Sequence, residues 1–485
     1  MLFNSKNFVL LLSLCIFSAK STATGIDDIK LPDLGDSSGT LISPAQEKEL
    51  GDAFFRSLHR QLKINQDSEI QQYIQSIGRK LVINSDTPSN PYHFFIVLDK
   101  QINAFAGPGG YIGVNSGLLL LTESESELAS VMAHEIAHIT QRHLYRAFEA
   151  ASRLSIPTAA ATLAALLIGT QSPEMAQAAL IAIQAGSIQF QIDFTRDNEK
   201  EADRVGMKTL AKSSYNPRGM PTFFERLQQS SRYYGQNIPE FLRTHPVSIS
   251  RISDTRGRAN KYPYKQYPDS QGYLLTKTKL RVMTASTLET AFNHFKAREN
   301  QGTQNQRAIT QYGIALVHLE KQNYVAAEKI FKTLNNSYPE QPQYAYGLAN
   351  ISLKAQKYNK ALALFKQALS NFPTNNPIKI EYINTLLKAK KPKLAKTILE
   401  TLSYQSKKQP LYFELLAQAF ADLKQDAESH RYLAEYYYAV GHTSFAILQI
   451  KLAKKAKGNN FYLQAILNDR LAFFINEESE RKLNN

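Results

Sequence analysis

A repeat with a period of 34 residues runs through the C-terminal part of the chain and restricts its fold more than any other feature. The segments YVAAEKIFKTLNNSYP and YNKALALFKQALSNFP begin 34 residues apart, and small residues, an aromatic ring and a closing proline recur in one frame. The recurring positions are Ala327, Phe331, Pro339, Ala361, Phe365, Pro373, Ala395 and Leu399. Units of this length cannot each bury a core alone, so they must stack on their neighbours.

This repeat predicts paired helices of the tetratricopeptide type over residues 305–485. Small side chains let the two helices of a unit approach closely, and they recur at Ala315, Ala349 and Ala417, with Ile383 between them. The expected result is an α-solenoid whose concave face binds extended or unfolded chains. The later units match less well and the frame slips before Phe445, so an irregular helical domain is the alternative.

A second feature is the stretch VMAHEIAHITQRHLY at residues 131–145, which has helical periodicity. His134 and His138 are four residues apart, so their Cβ atoms lie about 5–6 Å apart on one helix face, within reach of one metal ion. Glu135 lies about 100° round the helix and can reach a water molecule held by that ion. On the same helix His143 falls on the opposite face, and we interpret it as a packing or surface residue rather than a ligand.

Two histidines do not complete a catalytic metal site, which usually has three protein ligands. The single cysteine, Cys15, lies in the N-terminal apolar segment, so the third ligand must be His, Asp or Glu. The segment RDNEKEADRVG at residues 196–206 offers several acids on one predicted helix. Glu199 and Asp203 share a face, whereas Glu201 sits about 200° from Glu199 and faces away. A solvated acidic face paired with neighbouring basic residues is the alternative.

The N terminus has the features of a secretory signal peptide, which we assign to residues 1–23. Lys6 precedes an apolar run from Phe8 to Ala19, and Ser21-Thr22-Ala23 is a suitable cleavage site. The apolar run is short for a membrane span, and an uncleaved anchor is the alternative.

Four further boundaries follow from composition. We expect an extended polar lead-in at 24–44, a catalytic domain at 45–258, a linker with a connecting helix at 259–304, and the repeat domain at 305–485. The domain boundary is placed in residues 256–275, a polar stretch with two prolines and two glycines.

Within the catalytic domain the residue pattern predicts few strands. Helical spacing runs from Ala45 to about Val82, and YHFFIVLD at 92–99 is a strand. Residues 103–119 predict a strand pair around a glycine-rich turn. Residues 155–190 are alanine-rich and predict a packed helical hairpin, with a shallow membrane-contacting loop as the alternative.

The net charge is +15, or +13 once the two lysines of the signal peptide are removed. This excess permits attraction to anionic membrane surfaces or acidic partners, so peripheral membrane contact remains an expectation. We find no compact basic motif, and we therefore expect no nucleic-acid partner. A solvated basic surface is the simpler interpretation of the charge.

HEIAH, followed some sixty residues later by NEKEAD, resembles the M48 metallopeptidases, whose pattern is His-Glu-x-x-His with a downstream Glu-x-x-x-Asp. The resemblance covers most of residues 45–255. It implies a zincin-like domain, mainly α-helical with a small β-sheet, that precedes the α-solenoid of helix pairs.

The resemblance also implies roles for single residues. One zinc ion per subunit would be bound by His134, His138 and Glu199. Glu135 would be the catalytic base, and Asp203 a catalytic acid behind the ligands that acts as proton donor. In some such enzymes a histidine in a Thr-His-Pro loop can take the open zinc position, and RTHPVS offers His245 as a fourth, regulatory ligand.

The order of signal peptide, M48 domain and repeats is similar to that of periplasmic members of the family in Gram-negative bacteria. It implies a periplasmic endopeptidase that assists outer-membrane β-barrel assembly and degrades misassembled barrels, with the repeats contacting unfolded barrels and the assembly machinery. Zinc would activate the attacking water molecule and Glu135 would accept its proton. Strand residues Asn103, Ala104 and Phe105 would pair with an extended substrate. A mainly non-proteolytic chaperone or adaptor is the alternative.

Overall fold

The computed structural model describes residues 43–144, 156–168, 196–233, 239–403 and 406–483. The predicted signal peptide with Cys15, the lead-in as far as residue 42, and the second alanine-rich run at 175–186 lie outside the described residues.

Three short strands form the sheet of the N-terminal part. They are β1 (His93–Val97), β2 (Ala104–Ala106) and β3 (Tyr111–Asn115), in the order β1-β3-β2. Strand β3 is parallel to β1 and antiparallel to β2. The strand and the strand pair that the sequence predicts are both confirmed, and β2 lies at an edge of the sheet.

Helices surround this sheet, and the described ones are α1 (Pro44–Gln61), α2 (Ser68–Ile83), α3 (Ser116–Leu121), α4 (Glu125–Thr140), α5 (Ile156–Ile168), α6 (Arg196–Lys212), α7 (Gly219–Tyr233), α8 (Glu240–Thr244) and α9 (Ile249–Ala259). The helical region predicted from Ala45 to Val82 is therefore two helices. The chain leaves α1 because Ile64 bridges Val97 beside the sheet. Asp67 then starts α2 by accepting backbone hydrogen bonds from Glu69 and Ile70.

Two apolar layers hold this part together. The face of the sheet that carries Ile96, Ile112 and Val114 packs in one core with α2, α4 and α7. On the other side, α5 buries Ala160 and Leu163 in a core that it shares with α1. Among the described helices, none combines the length and the apolar character needed to cross a membrane.

The C-terminal part is a succession of helices: α10 (Gln271–Thr284), α11 (Leu288–Lys296), α12 (Gln304–Glu320), α13 (Tyr324–Ser337), α14 (Pro342–Lys354), α15 (Tyr358–Asn371), α16 (Asn376–Lys388), α17 (Pro392–Glu400), α18 (Pro410–Asp422), α19 (Asp426–Ala439), α20 (Thr443–Lys455) and α21 (Phe461–Leu483). The small and large repeat positions are buried as predicted, with Ala327, Phe331, Ala361, Phe365, Ala395 and Leu399 all 0% exposed.

The repeat also persists further than the residue match indicates. Left-handed backbone conformations occur in the turns at Gln322, Gln356, Lys390, Lys424 and Gly458, each 34 residues after the last. The predicted slip of the frame before Phe445 is therefore wrong for the turns. Backbone geometry keeps the period where side chains diverge, because several residue types can occupy the left-handed turn position.

The solenoid contacts the N-terminal part at two places. Near its start, Lys279 of α10 pairs with Asp67 at 2.6 Å and Glu69 at 2.5 Å, at the beginning of α2. Near its end, Glu477 of α21 pairs with Arg56 of α1 at 2.9 Å. These pairs are largely shielded from water, so they position the two parts relative to each other.

Candidate metal centre and active site

Helix α4 carries the centre of the site. Ser124 caps its N terminus by accepting a hydrogen bond from the Glu127 amide, and the helix is buried from Glu125 to His138. The Nε2 atoms of His134 and His138 face each other 3.0 Å apart. The i,i+4 spacing in the sequence predicts this pair, and its burial removes competing water.

Helix α6 packs unusually close to α4. A Cβ atom at Gly206 would lie 3.0 Å from both the Ala133 oxygen and the His134 nitrogen, so only glycine permits this separation. Glu199, on the preceding turns of α6, consequently reaches both histidines. Its Oε1 lies 3.4 Å from His138 Nε2, and its Oε2 lies 3.5 Å from His134 Nε2.

His245 completes the cluster from a separate segment. It ends the short helix α8, directly before Pro246. Its Nδ1 lies 2.9 Å from Glu199 Oε1 and 3.4 Å from His134 Nε2. One ligand atom from each of His134, His138, Glu199 and His245 falls within 4.8 Å of the others.

The chemistry of these donors fits zinc. Three imidazoles and one carboxylate, all buried, match the nitrogen and oxygen ligands that zinc takes in four-coordinate sites. Glu135 lies beside the cluster, with Oε1 3.5 Å from His245 Nε2. That oxygen is buried without a hydrogen-bond partner among the described residues, which indicates a group reserved for chemistry rather than for stability.

Asp203 and Arg251 support the ligands from behind. Asp203 Oδ1 lies 3.0 Å from His134 Nδ1. Arg251 of α9 donates two hydrogen bonds of 2.8 Å to Asp203, and its Nη1 lies 2.7 Å from Glu199 Oε2. The sequence pattern gives no sign of Arg251, because it lies outside both motifs and reaches the site only through the packing of α9 on α6.

Burial and these contacts shift the acid–base properties of the site. Burial would raise the pKa of Glu199, but positive charge on His245 and hydrogen bonds from the histidines hold that pKa well below its usual value. Burial lowers the pKa of His138 well below its usual value. Glu199 is therefore a carboxylate and His138 a neutral imidazole, the forms that bind metal ions.

The other two groups are shifted upwards. Burial would lower the pKa of His134, but hydrogen bonds to Asp203 and Glu199 raise it to about 10. A metal ion must therefore displace a proton from His134. Burial also raises the pKa of Glu135, which makes that carboxylate a better proton acceptor.

His143 does not lie where the helical angle predicts. Helix α4 ends at Thr140 and Arg142 adopts a left-handed conformation, so the chain turns back towards the site. His143 Nδ1 lies 2.9 Å from His138 Nδ1, and its Nε2 lies 3.2 Å from Glu201 Oε2. Glu201 faces away from the ligand cluster, as the sequence predicts, but it contacts the site through His143.

The edge strand β2 passes next to the base. Asn103, Ala104 and Phe105 are buried. The Asn103 carbonyl accepts from Asn115, and the Gly107 amide donates to Tyr111, so the odd-numbered residues face β3. The even-numbered residues face the other way, and the Ala106 amide donates to the Glu135 carboxylate.

Comparison with known proteins gives a consistent result. Residues 68–259 match the profile of Peptidase family M48, and residues 352–419 match a tetratricopeptide repeat. A Vibrio cholerae protein, provisionally named a beta-barrel assembly-enhancing protease, is 40% identical over 336 residues, which are 69% of each chain. The Beta-barrel assembly-enhancing protease of Escherichia coli K12 is 38% identical over 314 residues, 65% of this chain and 64% of that protein.

A more distant relative shares only the catalytic region. The Mitochondrial metalloendopeptidase OMA1 of Schizosaccharomyces pombe is 27% identical over 180 residues, 37% of this chain and 50% of that protein. The chain spans about two thirds of the length of the two bacterial relatives.

Proposed function

The chain belongs to the M48 metallopeptidase family, and from that premise we propose that it is a zinc endopeptidase with Glu135 as its general base. The observation that carries the proposal is the convergence of His134, His138 and Glu199 on one point, with the Glu135 carboxylate beside it. Three protein ligands leave one coordination position for the reaction, as in other catalytic zinc sites.

The chemistry follows from where the side chains lie. Bound zinc would supply a Lewis acid that polarises the substrate carbonyl and makes water a stronger nucleophile. The Glu135 carboxylate, held by the Ala106 amide, accepts the proton of that water and delivers it to the leaving nitrogen.

We also propose a role for Asp203. The expectation from the family is a proton donor. Arg251 and His134 already engage both oxygens of this carboxylate, which favours an orienting role: it holds His134 with Nε2 towards the ion.

The edge of β2 is the proposed substrate track. Ala104 directs its backbone groups away from β3, so an extended substrate strand can pair beside Ala104 and pass Glu135. The Phe241 amide already donates to the Ile102 carbonyl on this edge at 3.1 Å. The segment that bears His245 therefore occupies the track, and His245 itself occupies the fourth ligand position. We propose that this arrangement is a closed state, relieved when the segment moves.

The relatives suggest the setting in which this chemistry is used. We propose that the protein acts in the periplasm, assists the assembly of outer-membrane β-barrel proteins and degrades those that misassemble. Support comes from the names of the two bacterial relatives and from the solenoid, a surface suited to unfolded chains and to the assembly machinery.

The test is Glu135→Gln, which keeps the size and position of the side chain but removes the base. We expect cleavage of an unfolded β-barrel substrate to fall roughly 10²–10⁴-fold while one zinc ion per chain is retained. Glu340→Gln, an exposed change in the solenoid, is the control and should leave cleavage unchanged. Undiminished cleavage by zinc-loaded Glu135→Gln protein would reject the assignment.

A chaperone that rarely cuts is the second candidate, and the closed arrangement around His245 favours considering it. Barrel assembly in cells that lack the protein separates the two. Full rescue by Glu135→Gln supports the chaperone, whereas failure of rescue with normal protein levels supports the peptidase.

A further inference from the structure

We propose that His143 and Glu201 form a hydrogen-bonded relay that fixes the ring of His138 for metal binding. Neither residue belongs to the ligand cluster, and both act through His138 as positioning residues. The inference rests on the proposed zinc site and adds two residues to it.

The geometry is that of a chain of three groups. His138 Nδ1 lies 2.9 Å from His143 Nδ1, and His143 Nε2 lies 3.2 Å from Glu201 Oε2. The two imidazole rings meet edge to face, with centroids 4.9 Å apart. His143 is 1% exposed, so water does not compete for these bonds.

Only one placement of the protons satisfies the chain and the metal together. To bind an ion through Nε2, neutral His138 must carry its proton on Nδ1. That N–H donates to His143 Nδ1, which must then be the acceptor, so the proton of His143 lies on Nε2. This second N–H donates to the Glu201 carboxylate, which can only accept.

The opposite direction would disable the site. If His138 Nδ1 were the acceptor, its proton would lie on Nε2 and point at His134 Nε2, 3.0 Å away. The Glu201 carboxylate excludes this arrangement because it accepts the proton of His143 Nε2. The relay therefore keeps the lone pair of His138 directed at the ion.

Helix α6 thereby organises the whole ligand set. Glu199 is a ligand, Asp203 contacts His134 directly, and Glu201 reaches His138 through His143. Glu199 and Asp203 share one face of α6, and Glu201 lies on another. The bridging histidine is needed because Glu201 does not face His138, so His143 spans the gap after the turn that ends α4.

The test measures zinc affinity of the full-length protein by competition with a chelator of known affinity. We expect His143→Leu to weaken zinc binding about 10–100-fold, as the loss of such supporting hydrogen bonds does in other zinc sites. His143→Asn keeps an acceptor at the position of Nδ1 and should stay within a few-fold of the wild type. Glu201→Leu should weaken binding, and the double variant should be no weaker than His143→Leu alone.

Two controls separate this inference from the zinc site itself. Glu199→Ala must abolish tight zinc binding; if it does not, the proposed function fails before the relay is tested. Nitrogen NMR shifts of the zinc-loaded wild type should show the His138 proton on Nδ1. Unchanged zinc affinity in folded His143→Leu and Glu201→Leu proteins, or a His138 proton on Nε2, would overturn the relay while leaving the zinc site intact.

Discussion

Arg251 holds Asp203 in a two-pronged contact, from Nε to Oδ2 and from Nη2 to Oδ1, each 2.8 Å long. The same guanidinium lies 2.7 Å from Glu199, one turn earlier on α6. A single cation on α9 thus compensates two buried carboxylates, one a proposed zinc ligand and the other the partner of His134. Helix α9 is part of the metal site even though it supplies no ligand.

Replacing that cation should be costly. Arg251→Met leaves two buried carboxylates without their main compensation, and we expect a loss of about 3–5 kcal/mol in unfolding free energy. Zinc affinity should fall as well, because Asp203 no longer holds His134. Arg258→Met on the same helix breaks only an exposed pair with Asp254 and should cost less than about 1 kcal/mol. Denaturant unfolding and zinc competition measure both, and equal losses in the two variants would contradict the assignment.

The separation of α4 and α6 gives a second prediction. Gly206→Val places methyl groups against the backbone at Ala133 and His134, which must move the helices apart. We expect zinc affinity to fall at least tenfold, because Glu199 and Asp203 move with α6. Gly257→Ala is the matched control: nothing lies within 4 Å of its added Cβ, and helix propensity should stabilise it by about 0.5–1 kcal/mol. Normal zinc affinity in Gly206→Val would show that the close approach is not required.

The sequence predicted the elements that carry short-range signals. Helical spacing placed His134, Glu135 and His138 on α4, and the same rule selected Glu199 and Asp203 over Glu201. Resemblance to the family, not spacing, supplied His245.

What the sequence missed depends on where helices end and how they pack. The rule of 100° per residue fails for His143 because α4 stops three residues earlier. Arg251 reaches the site across a helix–helix contact, and no local pattern encodes such a distance. The break between α1 and α2 was missed because the apolar spacing continues through a segment that pairs with the sheet.

The closed arrangement predicts a gain of activity. His245→Ala removes the fourth ligand but leaves His134, His138 and Glu199, so zinc should remain bound. We expect basal cleavage of an unfolded substrate to rise several-fold, since the open position is no longer filled. His294→Ala, in the solenoid helix α11, should have no effect. Unchanged or lower cleavage by zinc-loaded His245→Ala protein would count against the plug.

The contact between α1 and the turn before α20 should respond to pH. Burial, reinforced by the charge of His442, lowers the pKa of His59 from 6.5 to about 4. Between these values the unfolded chain binds more protons than the folded one, so stability falls as the pH decreases. From pH 7 to pH 5 this group should account for a loss of about 2 kcal/mol.

His59→Phe tests this directly. The variant keeps a ring against Phe55, which His59 contacts edge to face at 4.6 Å, but it cannot be protonated. Its unfolding free energy should therefore fall less between pH 7 and pH 5 than that of the wild type. Parallel pH profiles for the two proteins would assign the dependence to other groups.

The two contacts of the solenoid with the N-terminal part have a mechanical consequence. A solenoid fixed at one end flexes like a spring, whereas this one rests on the peptidase through Lys279 near its start and Glu477 near its end. It behaves as an arch with two footings, and its curvature is set by the distance between α2 and α1. A client that widens the arch must strain a footing, so the pull of a bound chain is transmitted to the domain that cuts it.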